Sequence, residues 1–459
     1  MKKIKLIMSA VLIISLTVCG ASCKEEVNMD GTSSNIGKLE KNNSCGIKLK
    51  EFKTVSVTPD EVVKYYKSVD YNTEIKKPVS YVNQYIHSQP KAKAVKFGWE
   101  YSDETNVKQA KLLISDNADM ASPMIHEISG NETFAQIQNL QTNHKYYWQV
   151  EYEQKNGRKA TSKISFFKTE PGRRIINIEG IENARDLGGI KTKFGTELKQ
   201  GLVFRSAEFD TQNYKITYSG IANSKNLFKI KTELDLRKPE QRGESASGES
   251  ILGNDVKYVN YSCAEYYDFL KCQLGNEKDI IKIFSDYGNY PIIFHCIYGA
   301  DRTGTVAYLL EALCGVEKDE LIKDYELTAW RNSTYTGFRA LEAAFSKIFE
   351  GNSLEDKAYG FFYHNLKLSK MEISNIKNIL TNDSAVFESD SLEKPYSSSS
   401  GYIEFHINFR NSKGVKLVKN GESILEHEQL YNGVKIKISE RTENGIILFD
   451  DGGVLEFNL

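Results

Sequence analysis

The stretch HCIYGADRTGT, residues 295–305, decides the fold of the central part of this 459-residue chain. It begins inside a predicted apolar strand (residues 290–296) and opens a predicted apolar helix (residues 302–314). A loop between a strand and a helix directs its backbone N–H groups towards one point, where the helix N-terminus adds positive potential. Gly299 and Gly304 allow the backbone turns that such a loop needs. The sequence therefore predicts an anion site.

Cys296 and Arg302 are the side chains that this loop would bring to the anion. The five residues between them let the loop wrap a phosphate, with the thiol below it and the guanidinium over its oxygens. The positive field favours the thiolate of Cys296, an in-line nucleophile on phosphorus, and Arg302 with the loop amides would stabilise the transition state. Thr303 is expected to donate a hydrogen bond to the sulfur, and His295 to hold the loop from behind. The alternative for Cys296 is an ordinary buried cysteine at a strand end.

Three further motifs accompany the loop in the same part of the chain. They are NARDLGG at residues 183–189, FRS at residues 204–206 and DLR at residues 235–237. Together with the loop, and in this order, they resemble the cysteine-dependent protein tyrosine phosphatase superfamily, in particular its bacterial tyrosine phosphatases. The resemblance covers residues 173–381, nearly half of the chain.

The resemblance implies a role for each matching position in the loop. Cys296 would be the nucleophile and Arg302 the phosphate-binding arginine. Arg185 and Asp186 would brace the loop without taking part in the chemistry. The backbone amides that would bind phosphate belong to Ile297, Tyr298, Gly299, Ala300, Asp301 and Arg302.

The resemblance also implies a general acid that protonates the leaving oxygen and then acts as base for water. Asp235, at the end of a predicted strand, is the expected residue, and Asp301 inside the loop is its rival. The alternative for Asp235 is a structural role as the partner of Arg237 or of a loop amide.

Position 300 departs from the resembling group, whose loops often carry a lysine that is linked to activity on phosphoinositides. Here the residue is Ala300, so the rim lacks that cation. Phosphotyrosine in a protein or peptide, or a small aryl phosphate, is therefore the expected substrate. Phosphoinositides or inositol phosphates are an alternative with the same chemistry, and a surface binding protein with a degenerate phosphatase domain is an alternative of another class. No metal motif such as HExxH or paired CxxC occurs, so we expect a metal-independent hydrolase without a cofactor.

Changes in periodicity divide the chain into modules. Short alternating strands in residues 86–170 resemble a fibronectin type III β-sandwich. Strands that alternate with helices predict an α/β phosphatase domain, with a central sheet flanked by helices, over residues 172–382. A polar linker (residues 383–402) and a small β domain of unknown role (residues 403–459) follow. We expect the β modules to contact a surface protein or a glycan.

The N-terminus carries an export pattern. Three lysines, a short apolar run and small residues predict a signal peptide over residues 1–22, followed by a tether and N-terminal segment over residues 23–85. The sequence that ends at Cys23 resembles a bacterial lipobox, so a membrane-anchored lipoprotein is expected, with free secretion as the alternative.

Charge and cysteine content indicate which partners to expect and whether the cysteines are paired. With 60 Lys and Arg against 61 Asp and Glu, the formal charge of −1 argues against a nucleic-acid partner. Seven cysteines, two of them in or at the signal, leave an odd number in the exported chain, which indicates a free thiol. A disulfide between Cys263 and Cys272 is left open.

Overall fold

The computed structural model describes residues 46–68, 90–102, 107–130, 132–212, 214–330, 341–345, 347, 351–381, 386–387, 396–397, 402–410, 414–421, 423–430, 433–439, 444–449 and 454–458. The expected signal peptide, Cys23, Cys45 and most of the expected tether lie outside the described residues.

Two β-sheets around one shared core form the part of the chain before residue 170. Their strands are Ile47–Lys50 (β1), Thr54–Val55 (β2), Val95–Tyr101 (β3), Val107–Ser115 (β4), Met124–Ser129 (β5), Phe134–Ile137 (β6), Lys145–Gln154 (β7), Lys159–Thr161 (β8) and Ser165–Thr169 (β9). One sheet has the order β1-β3-β6 and the other β2-β9-β7-β4-β5, with β8 on β7. Alternating side chains from both sheets, among them Phe97, Trp99 and Trp148, meet in one apolar cluster. The assignment of these sheets to the fibronectin type III family stays a prediction.

A five-stranded sheet carries the central part of the chain. Its strands are Arg185–Asp186 (β10), Val203–Ser206 (β11), Thr232–Asp235 (β12), Lys257–Asn260 (β13) and Ile292–His295 (β14). The order is β10-β11-β14-β12-β13. All pairs are parallel except β10 with β11. The loops that leave β11, β12, β13 and β14 therefore converge at one edge of the sheet, which is where open α/β sheets bind ligands.

Helices accompany this sheet, as expected for an α/β domain. One described helix, Asp60–Ser68 (α1), precedes this domain. Those within it are Tyr218–Asn226 (α2), Tyr266–Leu270 (α3), Glu277–Lys282 (α4), Asp301–Leu313 (α5), Lys318–Glu326 (α6), Leu354–Gly360 (α7) and Lys370–Thr381 (α8), and residues 341–345 are also helical. Every residue of α5 after Asp301 is buried. Because α5 is covered on all sides, its N-terminus is held rigidly against the carboxyl edge of the sheet. None of the helices in the described ranges is both long and apolar enough to cross a membrane.

An antiparallel sheet follows α8. Its strands are Val386–Phe387 (β15), Tyr396–Ser397 (β16), Tyr402–Arg410 (β17), Val415–Asn420 (β18), Ser423–Leu430 (β19), Gly433–Ser439 (β20), Asn444–Phe449 (β21) and Val454–Asn458 (β22). Both β15 and β16 pair with β17. The segment predicted as a polar linker, residues 383–402, thus contains two short strands that pair with the sheet, and its role as a linker stays a prediction. The other residues of that linker, apart from Tyr402 itself, lie outside the described part.

Candidate active site

The loop that the sequence singles out lies between β14 and α5. Cys296 follows the last residue of β14, and Asp301 begins α5. Cys296 is 2 % exposed and Arg302 is 9 % exposed. Cys263, Cys272, Cys296 and Cys314 are all free thiols, so the disulfide left open between Cys263 and Cys272 is not formed.

Gly299 allows the loop to pack directly on the neighbouring strand. Its φ is +67°, a conformation that residues with a side chain rarely adopt. A Cβ at this position would lie 2.3 Å from the carbonyl oxygen of Ser206, the last residue of β11. Any larger residue would push the loop away from the sheet.

Arg302 is held towards the loop that follows β12. Its Nη1 donates to the carbonyl oxygen of Leu236 at 3.1 Å and to Oε1 of Gln241 at 2.8 Å. Both partners are neutral, and among the described residues no carboxylate accepts a hydrogen bond from the Arg302 guanidinium. A guanidinium whose charge is not neutralised by an acid attracts an anion such as phosphate.

The carbonyl groups of the loop are tied from behind by side chains of the NARDLGG and FRS motifs. Arg205 Nη2 donates to the Gly299 carbonyl at 2.8 Å. Asn183 Nδ2 donates to the Tyr298 carbonyl at 3.0 Å, and Arg185 Nη1 donates in turn to Asn183 Oδ1 at 2.6 Å. Arg185 thus acts on the loop through Asn183. The sequence suggested a bracing role for Arg185 but did not identify Asn183 or Arg205.

Asp324 on α6 neutralises these two arginines. Its carboxylate accepts from Arg185 Nε at 2.8 Å and from Arg205 Nη1 at 2.5 Å, and all three side chains are at most 2 % exposed. Burial alone would raise the pKa of Asp324, but the two arginines outweigh it and hold the pKa well below its usual range. Burial also disfavours the charged form of Arg185, and it lowers the pKa of that guanidinium to about 10. Charges this deeply buried are tolerated only because each has its partners.

Asp186 stabilises its own turn, and within the described residues its carboxylate bonds to Arg174 and to two backbone N–H groups, none of which belongs to the phosphate loop. Its carboxylate accepts from Arg174 Nη1 at 2.7 Å, from the Gly188 N–H at 2.8 Å and from the Gly201 N–H at 2.6 Å. Burial raises the pKa of this carboxyl group. The expectation that Asp186 braces the phosphate loop therefore needs correction: it stabilises the segment from which Arg185 reaches the loop.

Asp235 lies at the end of β12 and is fully buried. Its oxygens accept from the backbone N–H, Nε and Nη2 of Arg237 at 2.9, 3.0 and 2.8 Å, and from the Tyr258 hydroxyl at 2.8 Å. Burial alone would raise the pKa of Asp235, but His295 and Arg237 outweigh it and lower the pKa. A buried, saturated carboxylate has neither the proton nor the access that a general acid needs. These contacts fit the alternative, a structural partner of Arg237, and speak against the expected catalytic role.

His295 supports the loop from the β12 side. Its ring is buried, with Nε2 3.1 Å from Glu233 Oε1 and Nδ1 4.0 Å from Asp235 Oδ1. Burial alone would lower the pKa of His295, but Asp235 and Glu233 outweigh it and raise the pKa. The hydroxyl of Thr303 is buried and has no hydrogen-bond partner in the described residues, so the expected bond to the Cys296 sulfur is not made.

Two tyrosines lie against the start of α5. The Tyr266 hydroxyl donates to Asp301 Oδ1, and the Tyr325 hydroxyl lies 2.5 Å from the Tyr266 hydroxyl. The Tyr266 backbone N–H donates to Thr305 Oγ1 at 2.9 Å. The segment after β13 is therefore anchored to the first turns of α5, next to the phosphate loop.

Glu265, immediately before that anchor, is exposed and was missed by the sequence analysis. Partial burial and the charge of Asp301 raise its pKa, and Arg302 acts on it in the opposite sense. The signal that could have found it is topological. Glu265 follows the strand next to β12 in a parallel sheet, so its loop reaches the same edge as the phosphate loop.

Aromatic and charged groups surround the loop. Tyr298 is 40 % exposed, whereas Ala300 is fully buried. Lys238 and Arg242 flank a short 3₁₀ turn, Pro239–Gln241, from which Gln241 contacts Arg302. Within the portion that the structure describes, no group of three or more His, Cys, Asp or Glu side chains is arranged to hold a metal ion.

The model of the tyrosine phosphatase family matches this chain over residues 176–420. The matched range contains β10 to β14, the loop and α5 to α8.

Comparison with individual proteins gives more distant similarities. The chain is 25 % identical over 194 residues to a Cupriavidus necator protein provisionally named as a tyrosine-protein phosphatase, covering 36 % of this chain and 66 % of that protein, just under two thirds. Among solved structures, the core catalytic domain of the PP-IP phosphatase Siw14 from S. cerevisiae is similar at 16 % identity and a TM-score of 0.25, covering 32 % of this chain and 83 % of that one. A second structure of the Siw14 catalytic core matches at 14 % identity with the same TM-score of 0.25, covering 35 % of this chain and 89 % of that one.

Proposed function

Because the chain belongs to the tyrosine phosphatase family, whose model matches more than half of it, we propose that it hydrolyses phosphotyrosine in proteins or peptides through a phosphocysteine intermediate on Cys296. The observation that carries the proposal is the position of the Cys296 thiol. Cys296 directly follows β14 at the carboxyl edge of a parallel sheet and begins a loop whose carbonyls are tied back. The loop ends at Arg302, whose guanidinium donates to two neutral oxygens and to no carboxylate among the described residues.

The first half-reaction transfers the phosphoryl group to sulfur. Arg302 exchanges its two neutral partners for phosphate oxygens, and the loop amides bind the remaining charge. The Cys296 thiolate attacks phosphorus as the bond to the tyrosyl oxygen breaks, and that oxygen receives a proton from a general acid. In the second half-reaction water attacks phosphorus, the same group takes a proton from the water, and the thiolate leaves.

We assign the general acid to Glu265, with Asp301 as the alternative. The raised pKa of Glu265 keeps a larger fraction of it protonated, and its exposure lets it reach a leaving group. The adjacent bond from Tyr266 to Thr305 keeps this segment at the loop. Asp301 is the weaker candidate because its carboxylate already accepts a hydrogen bond from the Tyr266 hydroxyl, which ties the side chain to α3.

The test of the proposed function is hydrolysis of para-nitrophenyl phosphate and of a phosphotyrosine peptide by the purified chain without residues 1–22, with EDTA present. We expect turnover that survives EDTA, is blocked by vanadate and is lost in Cys296→Ser. Absence of turnover by a folded wild-type chain would reject the enzyme and favour the surface binding protein.

The dependence of the hydrolysis rate on the leaving group tests the assignment of the general acid. Removing a general acid costs about 10²–10⁴-fold, and the loss should be large for phenyl phosphate and small for para-nitrophenyl phosphate, whose leaving group needs little protonation. We expect this pattern for Glu265→Gln, with a smaller, leaving-group-independent effect for Asp235→Asn. The same selective loss in Asp301→Asn, and not in Glu265→Gln, would transfer the role to Asp301.

A second candidate function is hydrolysis of phosphoinositides or inositol phosphates. It is favoured by Lys238 and Arg242, which flank the turn whose Gln241 contacts Arg302 and could hold a second phosphate group. Phosphate release from inositol phosphates and from phosphoinositide vesicles, compared with release from phosphotyrosine peptides at equal concentration, separates the two. A preference for the inositol substrates that is lost in Lys238→Ala would establish the second candidate.

We also propose that the enzyme acts outside the cytoplasm, with residues 1–22 as its signal peptide and Cys23 as a lipid attachment site. Intact-mass measurement of the chain from a bacterial host distinguishes a lipidated Cys23 from a free secreted terminus. A chain that retains residue 1 and stays in the cytoplasm would contradict export.

A further inference from the structure

A cleft of about 1030 Å³ lies between the N-terminal sheets and the first segment of the phosphatase domain. One wall is formed by β6 and by His126 on β5, and the opposite wall by residues 176–184 and by the first turns of α2. Its lining contains none of Cys296, Arg302, Glu265 and Asp301, so it is distinct from the proposed catalytic centre.

The wall formed by β6 is a free strand edge. Only β3 pairs with β6 among the described strands. The Trp99 N–H donates to the Thr133 carbonyl, so these two residues form a hydrogen-bonded pair between β3 and the residue just before β6. Since hydrogen-bonded and non-hydrogen-bonded pairs alternate, Ala135 and Ile137 direct their backbone groups to β3, and Gln136 directs its N–H and C=O to the open side. Gln136 lines the cleft, so the cleft offers a backbone donor and acceptor that pair with no other strand in the described part of the chain.

The opposite wall is continuous with the phosphate loop. Residues 176–184 lead directly into β10, and Asn183, which lines the cleft, donates to the carbonyls of Tyr298 and Gly299 at 3.0 and 3.3 Å. The Ala207 N–H, just after β11, donates to the Glu182 carbonyl at 2.9 Å. Glu182 and Asn183 therefore stand at the same carboxyl edge of the sheet as the phosphate loop.

The two walls are also fixed relative to each other near the end of β6. Asn139 Nδ2 donates to the Asn177 carbonyl at 3.0 Å, and the Asn177 N–H donates to Asn139 Oδ1 at 2.7 Å. Asn177 Nδ2 donates to Gln138 Oε1 at 2.8 Å. The Asn139 side-chain amide thus bonds both backbone groups of Asn177, as a neighbouring strand would at the edge of a sheet. It also holds the cleft open at a set width.

We propose that this cleft binds the extended chain that flanks phosphotyrosine in a protein substrate, with the substrate backbone pairing on the free edge of β6. The inference rests on the proposed function. Hydrogen bonds to the substrate backbone supply affinity for peptides of many sequences. Pockets beside the strand edge receive every second side chain of the bound peptide.

The lining chemistry favours a peptide over other ligands. Amide side chains from both walls can each donate and accept, as a peptide backbone requires; they are Gln138, Asn139, Asn177, Asn183 and Asn223. The described lining contains two lysines and two glutamates, so it selects neither anions nor cations. Tyr214 is its one Phe, Tyr or Trp residue, which leaves little surface for stacking a sugar ring.

The first test compares free phosphotyrosine with acetylated, amidated peptides that carry one, three, five or seven Ala and Ser residues on each side of it. We expect kcat/KM to rise about tenfold with length, as one or two added net hydrogen bonds would give, and then to level off. Equal kcat/KM at all lengths would overturn the inference while leaving the proposed function intact. If the wild type does not hydrolyse para-nitrophenyl phosphate, the proposed function itself has failed, and this inference fails with it.

Two matched pairs of variants then locate the effect. Ser219→Trp fills the cleft from the exposed first turn of α2, and Tyr218→Trp places the same ring one residue away, at a 94 % exposed position outside the lining. Gln136→Pro removes the outward N–H of β6, which an edge strand tolerates, and Gln136→Ala keeps it. We expect the ratio of peptide to para-nitrophenyl phosphate kcat/KM to fall about tenfold in Ser219→Trp and Gln136→Pro, and by less than about twofold in their controls. A ratio that stays constant in all four would overturn the inference.

Discussion

Replacing Asp324 by Asn should both destabilise the domain and weaken catalysis, although Asp324 is not expected to touch the substrate. Its carboxylate is 1 % exposed and accepts charged hydrogen bonds from Arg185 and Arg205. Through Asn183 and directly, these two arginines hold the Tyr298 and Gly299 carbonyls of the phosphate loop. An amide in place of the carboxylate keeps the shape and removes the charge.

The magnitude follows from the burial of the partners. Removing one member of a buried ion pair costs about 3–5 kcal/mol, because the charge left behind is neither solvated nor paired. Here two arginines are left behind, so the upper part of that range applies. For a domain of roughly 200 residues, a loss of about 4–5 kcal/mol lowers Tm by roughly 8–20 °C. Loop displacement of about 1 Å would lower kcat by a factor on the order of 10².

Thermal unfolding and para-nitrophenyl phosphate kinetics of Asp324→Asn, beside Asp319→Asn, measure both effects. Asp319 lies on the same helix, and its salt bridge to Lys323 is half exposed. The control undergoes the same chemical change and should lose less than about 0.5 kcal/mol. If Asp324→Asn also loses less than about 1 kcal/mol and keeps its kcat, the buried arginine cluster does not hold the loop and the reasoning is wrong.

Two further predictions concern backbone conformation and pH. Gly299→Ala should abolish most activity and lower stability by more than Gly195→Ala. Both glycines have positive φ, so Gly195→Ala measures the cost of that backbone conformation alone, about 1–2 kcal/mol, whereas a Cβ at 299 also meets backbone atoms. Melting curves and kinetics of the two variants check this, and equal effects would contradict it. Burial alone would raise the pKa of Asp210, but Arg237 outweighs it and lowers the pKa from 3.8 to about 2. Because the folded-state pKa is the lower one, Asp210 should contribute about 2 kcal/mol above pH 3.8 that is lost as the pH falls towards 2. Urea denaturation between pH 5 and pH 2.5 should give a flatter pH dependence for Asp210→Asn than for the wild type, and parallel curves would refute the assignment.

The strand, loop and helix that carry Cys296 could be predicted from the sequence because their signal is local. An apolar run, a glycine-containing loop and a second apolar run with helical spacing lie within about 25 residues. The DLR motif also carries local information. Asp235 ends β12 and Arg237 follows two residues later. Side chains two residues apart share one side of an extended chain, so the pairing of Asp235 with Arg237 is suggested by this spacing. The motif does not show that this pair is buried, and burial is what decides whether Asp235 acts as a general acid or as a structural partner of Arg237.

The contacts that hold the loop could not be predicted because they join distant parts of the chain. Asp324 is separated from Arg185 by 139 residues and from Arg205 by 119 residues. Neither arginine differs, as sequence, from an arginine that binds substrate. Asp186 shows the converse: its neighbour Arg185 reaches towards the loop, yet Asp186 itself faces Arg174 on the other side of β10. Adjacent residues of a strand point to opposite faces, so one motif divides into two roles.

The planarity of the peptide bond explains why the phosphate loop is tied by its carbonyls. In a trans peptide the C=O of one residue and the N–H of the next point in opposite directions. The Glu208 N–H holds the Ile297 carbonyl at 3.1 Å, and Asn183 and Arg205 hold the next two carbonyls from the same side. The N–H groups of Tyr298, Gly299 and Ala300 must then face away from these groups, towards the space where phosphate would lie. The loop is thereby oriented before any anion arrives, and the energy of ordering it is supplied by folding rather than by substrate binding.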